Sequence, residues 1–151
     1  MAGAEPFLET AMDQNSRQLN QEFSDAPPFG ERLRQVAAID VGTNSTHLLV
    51  ASVDVALGTF SIELAEKSTT RLGEKDPDTG ELTPEAMERG LASLRRFKEL
   101  AISHQVEQIV IAATSAVREA PNGRDFLQTV QDQLGLDVDL VSGPEEARLI
   151  Y

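Results

Sequence analysis

After position 35 the apolar residues fall into three closely spaced β-branched stretches, roughly 36–42, 46–54 and 59–67, with Leu57-Gly58-Thr59 between the last two. The spacing predicts a three-stranded antiparallel meander. Gly73–Gly80 (GEKDPDTG) has the composition of a loop, after which Thr83-Pro84 opens a helix with a hydroxyl N-cap and a proline in its first turn. Met87, Leu91, Leu94, Phe97 and Ala101 follow the helical period and mark its core face. Gln108–Ala113 (QIVIAA) has the pattern of a buried parallel strand flanked by helices. A helix over about 124–134, ended by Gly135, precedes a strand over 136–141. Ser142-Gly143-Pro144-Glu145 then starts another helix, with Ser142 and Glu145 at capping-box spacing. The predicted class is α/β, in the order βββαβαβα. The ordered domain should begin near Leu33, after a polar, acidic segment broken by Pro27-Pro28 and Gly30, so residues 1–35 are expected to be a flexible tail.

Composition narrows the function. The 151 residues suit one ordinary domain or a piece of a larger one, and 40% hydrophobic with 25% charged residues is a globular balance. No apolar run approaches the ~20 residues of a membrane span, so no membrane partner is expected. Zero cysteines exclude disulfides and thiolate chemistry and fit a cytoplasmic setting, while His47 and His104 are too few and too far apart for a metal cluster. A net charge of −12 argues against nucleic acid as a partner. Any polyanionic substrate would have to be met by local arginines, helix N-termini and metal ions acting against that field.

Three segments at strand C-terminal ends carry candidate chemistry, the place where open α/β sheets bind ligands. In the first, Asp40-Val41-Gly42-Thr43-Asn44-Ser45, a strand delivers a carboxylate and turns through a glycine and small polar residues. Gly42 would allow close backbone approach, Thr43 to Ser45 would donate to a phosphoryl group, and Asp40 could hold a hydrated cation directly or through water. An ordinary polar hairpin turn has the same composition. In the second, Thr114, Ser115 and Arg118 leave the buried strand; Arg118 suits either bidentate phosphate binding or a surface ion pair. In the third, a helix N-terminus carries Glu145 and Glu146. Glu145 is explained by capping. Glu146 shares a helix face with Leu149 and Ile150, so a partly desolvated carboxylate acting as general base stands beside the plainer reading of an acid at a helix start.

Taken together, AAIDVGTNSTHLLVA (37–51), RLGE (71–74), LTPEAMERGL (82–91), ATSAVREAPNG (113–123) and SGPEEARLIY (142–151) resemble the N-terminal part of the exopolyphosphatase and guanosine pentaphosphate phosphatase (Ppx/GppA) family, in the family's order and spacing. The resemblance covers Val36 to Tyr151. It implies a ribonuclease-H-like lobe of the actin-like ATPase superfamily, a mixed sheet flanked by helices, and magnesium-dependent hydrolysis of a terminal phosphate from inorganic polyphosphate. Guanosine pentaphosphate hydrolysis, or non-catalytic sensing of guanosine tetraphosphate, are the alternatives. By the same resemblance Asp40, Gly42, Thr43, Asn44 and Ser45 form the first phosphate loop, Arg118 contacts the phosphate chain, and Glu146 is the catalytic base. Arg71 and Lys67 are weaker candidates for the rest of a long polyanion, with Thr114, Ser115 and Glu145 as further contacts. The family's second phosphate loop and second lobe are not in the sequence. The chain is therefore expected to be a truncated piece with little activity of its own, from a parent that could be a homodimer.

Overall fold

The computed structural model describes residues 33–145. Among them are β1 (Leu33–Val41), β2 (Ser45–Asp54), β3 (Thr59–Thr69), α1 (Pro84–Ser103), β4 (Gln108–Ala113), α2 (Ser115–Glu119), α3 (Gly123–Leu134) and β5 (Asp139–Leu140). The strands form one mixed sheet in the order β3-β2-β1-β4-β5. β3 runs antiparallel to β2, whereas β4 runs parallel to β1 and to β5. The predicted order of elements holds, with one addition. Ser115–Glu119 is a separate short helix, too brief to show a period, anchored by buried Ala116 and Val117.

Two boundaries move. Residues 33–35, expected in the tail, belong to β1: the Gln35 carbonyl accepts the Glu107 N–H at 2.8 Å, and its side chain bonds the Ser52 hydroxyl. Residues 1–32 of the expected tail lie outside the described residues. The strand expected over 136–141 shrinks to Asp139–Leu140, which pair with Ala112 and Ala113 of β4.

Alternation across the pleat divides the sheet into two faces. Ala37, Ile39, Val41, Leu48, Val50, Ile111 and Ala113 enter one core with α1 and α3, including Leu94, Phe97, Phe126 and Val130. The opposite face is different: Ala38 is exposed, Leu49 and Ala112 are partly exposed, and Val110 is 44% exposed. β4 is therefore covered by helices on one side only among the described residues, rather than on both as its unbroken apolar run suggested. On α1 the expected stripe is rotated slightly. Leu94, Phe97 and Ala101 are buried as predicted, but Ala86, Gly90 and Ser93 complete the buried face, and Met87 and Leu91 sit at its edge.

Local polar contacts fix the connections. The Thr83 hydroxyl accepts the Ala86 N–H at 3.2 Å as the N-cap of α1. Asp54 receives the N–H groups of Ala56 and Leu57, both at 3.0 Å, and so shapes the β2–β3 turn. Asp76 does the same in the 73–80 loop, accepting from Asp78 and Thr79 at 2.9 Å. Asn122, just before α3, pairs with the Leu82 backbone through both ends of its amide, accepting at 2.8 Å and donating at 3.0 Å. That side chain works as a one-residue strand partner for the segment entering α1.

Asn122→Ala would leave both Leu82 groups without this partner and should lower the unfolding free energy by about 1–3 kcal/mol, measured by denaturant titration. Ser93 behaves oppositely. Its buried hydroxyl has no hydrogen-bond partner, so Ser93→Ala should raise stability by about 1 kcal/mol in the same assay.

Candidate functional site

Parallel pairing of β1 with β4 sets Asp40 beside Ala112 and Val41 beside Ala113. Both strands then end at one level, and the Thr114 N–H closes the gap to the Val41 carbonyl at 3.2 Å. Two of the three predicted segments meet there: the hydroxyls of Thr43 and Ser115 lie 3.2 Å apart. The third joins through the backbone of Val141, whose N–H donates to Ala113 at 3.1 Å and whose carbonyl receives Arg118 Nη1 at 2.5 Å. Arg118 also lies 3.8 Å from Glu119. The ion-pair reading of Arg118 thus finds a carboxylate within reach, while the guanidinium is also anchored to a backbone carbonyl at the mouth of the site.

Asp40 is exposed at the end of β1. With His47, Lys67, Thr114 and Val141 it borders a concavity whose floor is the open apolar face of the sheet. The walls near Asp40 are polar, but most of that concavity is not, so the chemistry belongs to its rim. Among the described residues no group of three or more His, Cys, Asp or Glu stands close enough to hold a metal.

The turn between β1 and β2 is built tightly. The Gly42 N–H donates to the Ser45 carbonyl at 3.0 Å, and a Cβ on Gly42 would stand 2.8 Å from that oxygen. The glycine is thus required by the turn itself, before any ligand is considered. From the other side the chain leaving β3 clamps the turn. Asn44 O accepts the N–H groups of Thr70 at 3.1 Å and Arg71 at 2.9 Å, and Thr43 O accepts that of Gly73 at 2.8 Å. Gly73 approaches so closely that a Cβ there would meet the Thr43 methyl at 2.5 Å. Beneath the turn, the buried hydroxyls of Thr46 and Thr70 bond at 3.2 Å. Arg71 itself takes a left-handed conformation, φ 49°, and its side chain is 65% exposed and 3.6 Å from Glu74. Arg89 of α1 completes this layer, donating from Nε to Thr70 O at 2.9 Å and from Nη2 to Glu74 at 2.5 Å. Sequence reading passed over Arg89 because it looks like an ordinary helix-surface arginine; the loop that it holds is visible only in three dimensions.

At the third segment, residues 143–145 are helical and the capping box forms. Glu145 accepts from the Ser142 hydroxyl at 2.7 Å and from its N–H at 3.0 Å, and the Ser142 hydroxyl receives the Glu145 N–H at 3.4 Å. The Glu145 carboxylate is committed to Ser142, which leaves capping as the role that its geometry supports. The Ser142 hydroxyl first, and its N–H second, hold the Glu145 carboxyl below the usual glutamate value. Glu146, the predicted base, lies outside the described residues.

The sequence profile of the Ppx/GppA phosphatase family matches residues 49–151, more than half of the chain. The chain belongs to this family. A Ppx/GppA member from Aquifex aeolicus superposes with a TM-score of 0.72 at 34% identity, over 77% of this chain and 37% of that one. An exopolyphosphatase from Cytophaga hutchinsonii gives 0.72 at 31% identity, over 77% and 36%. The chain thus spans somewhat over a third of the length of these Ppx/GppA structures. The mixed sheet with helices is accordingly an actin-like, ribonuclease-H-like lobe. The profile match begins after the Asp40–Ser45 turn.

Because the Glu145 pKa is lowered in the fold, the cap is fully present above the ordinary value of 4.5 and is lost as pH falls through the lower folded value. The Ser142 amide resonance should therefore titrate with a midpoint below 4.5, and Ser142→Ala should bring the Glu145 midpoint back toward 4.5.

Proposed function

We propose that this chain supplies half of the cleft of a phosphatase that removes the terminal phosphate of inorganic polyphosphate. The observation that carries the reading is the meeting of the Thr43 and Ser115 hydroxyls at 3.2 Å, beside a concavity bordered by Asp40 and by Val141, whose carbonyl binds Arg118, in a member of the Ppx/GppA phosphatase family. A similar chain is described as an exopolyphosphatase, which favours polyphosphate over guanosine pentaphosphate as the starting hypothesis.

In this reading the β1–β2 turn offers peptide N–H groups with the hydroxyls of Thr43 and Ser45 to the terminal phosphoryl oxygens, and Arg118 contacts the next phosphate. A magnesium ion at Asp40 would neutralise charge on the phosphoryl oxygens. Glu146 would accept the proton of the attacking water as oxygen bonds to phosphorus and the bridging P–O bond breaks toward the shortened chain. Lys67 and Arg71 would steady the rest of the polyanion, countering part of the −12 charge. The remaining part of the cleft would come from the portion that Ppx/GppA structures have beyond this length, so the chain by itself should release little phosphate.

Phosphate release from long-chain polyphosphate with magnesium would test this, comparing this chain, a protein extended to the length of the relatives, and its Glu146→Gln form. Turnover only in the extended wild type, falling by about 10²–10⁴-fold on Glu146→Gln, is expected. An unaffected Glu146→Gln protein would sink the assignment of the base. An extended protein active on guanosine pentaphosphate alone would replace the substrate.

A further inference from the structure

Two peptide units separate Arg89 from the β1–β2 turn, and they are aligned end to end. Arg89 Nε donates to Thr70 O at 2.9 Å. That carbonyl shares its peptide plane with the Arg71 N–H, which donates to Asn44 O at 2.9 Å. Asn44 O in turn shares its plane with the Ser45 N–H. In a trans peptide the C=O and N–H point in opposite directions, so tying Asn44 O toward the exit of β3 turns the Ser45 N–H to the β1 side of β2, where the turn lies. Gly73 acts likewise one residue earlier: its N–H holds Thr43 O at 2.8 Å and turns the Asn44 N–H away. A cation at the head of such a series polarises each successive peptide in the same sense, leaving the last N–H a better donor to an anion.

We propose that Arg89 is a positioning residue for the phosphate loop, holding and polarising the Thr70–Arg71 and Asn44–Ser45 peptides so that the turn presents donors rather than carbonyls to an anion. This rests on the phosphate-binding reading above and adds to it the residue that sets the loop. Several features fit this role and have no other evident purpose. Arg71 keeps a left-handed backbone, disfavoured for a residue with a Cβ, and the Arg89 contact to the Arg71 carbonyl at 3.4 Å helps to hold it. Glu74 accepts from Arg89 at 2.5 Å and lies 3.6 Å from Arg71, fixing the guanidinium from the solvent side. Its own N–H returns to the Arg71 carbonyl at 3.0 Å, closing the loop. The planar guanidinium reaches three acceptors in different directions, which a lysine ammonium on a single stem could not reproduce. Arg89 never touches the ligand in this scheme; it acts through backbone.

The test uses the full 151-residue chain with Arg89→Lys, Arg89→Met and, as a control for charge, Arg95→Met on the exposed side of the same helix. Magnesium tripolyphosphate is titrated while backbone amides are followed by NMR. Both Arg89 variants should weaken binding by about tenfold or more, the scale on which supporting-shell substitutions act, and Arg95→Met should change it by less than about twofold. In the free protein the Ser45 amide proton should move upfield, and Thr70, Arg71 and Gly73 should exchange faster in the Arg89 variants only. Wild-type affinity in Arg89→Lys would overturn the proposal. So would equal weakening by Arg95→Met, which would mean long-range charge, or lost protection throughout the sheet in both Arg89 variants, which would make Arg89 a residue of the fold. If the wild type binds no tripolyphosphate, the phosphate reading falls, and amide exchange alone decides the buttress: acceleration at 70, 71 and 73 supports it and unchanged exchange overturns it.

Discussion

The register of β1 on β4 is the constraint from which the rest of the site follows. Pairing Asp40 with Ala112 and Val41 with Ala113 makes two parallel strands stop together, and Thr43, Thr114 and Ser115 gather where they stop. A slip of one residue would place every side chain of β1 on the wrong face, pushing Ile39 and Val41 out of the core. The burial of those two side chains therefore holds the register, and the register brings Thr43 to Ser115. Hydrophobic packing under the sheet thus determines polar geometry at its edge.

Much of this was legible beforehand because periodicity reports which side of an element is wet. The meander, the Thr83 cap of the long helix, the parallel strand and the Ser142–Glu145 box all follow from local spacing, and each is found. Failures came where spacing carries no such information. Leu136–Val141 is apolar enough for a longer strand, but a strand is defined by its pairing, and only Asp139 and Leu140 pair with β4. Ser115–Glu119 is shorter than the periods needed to reveal a helix. Arg34 and Gln35 look like tail because they are polar, yet their backbone belongs to β1, which starts at Leu33 where the ordered domain was expected to begin.

The site itself was half legible. Asp40, Gly42, Thr43, Ser115 and Arg118 could be named because small polar residues after strands advertise a turn. Their grouping depends on long-range contacts that no local window contains, among them Arg118 reaching Val141 across 23 positions. The reason for Gly42 also changes on inspection: crowding against Ser45 O already demands it. The sheet's open face, with Val110 44% exposed, is equally invisible to a reading in which an unbroken apolar strand implies cover on both sides.

The buried Thr46–Thr70 pair sits directly beneath the turn, each hydroxyl satisfied by the other. Losing one partner strands the survivor without water, whereas replacing both by apolar groups of similar shape removes the problem together with the bond. Selection would accordingly meet these distant positions as a single inherited character. Neither can drift alone, and a lineage that abandoned the hydroxyls would need to change two codons, passing through a less stable ancestor on the way.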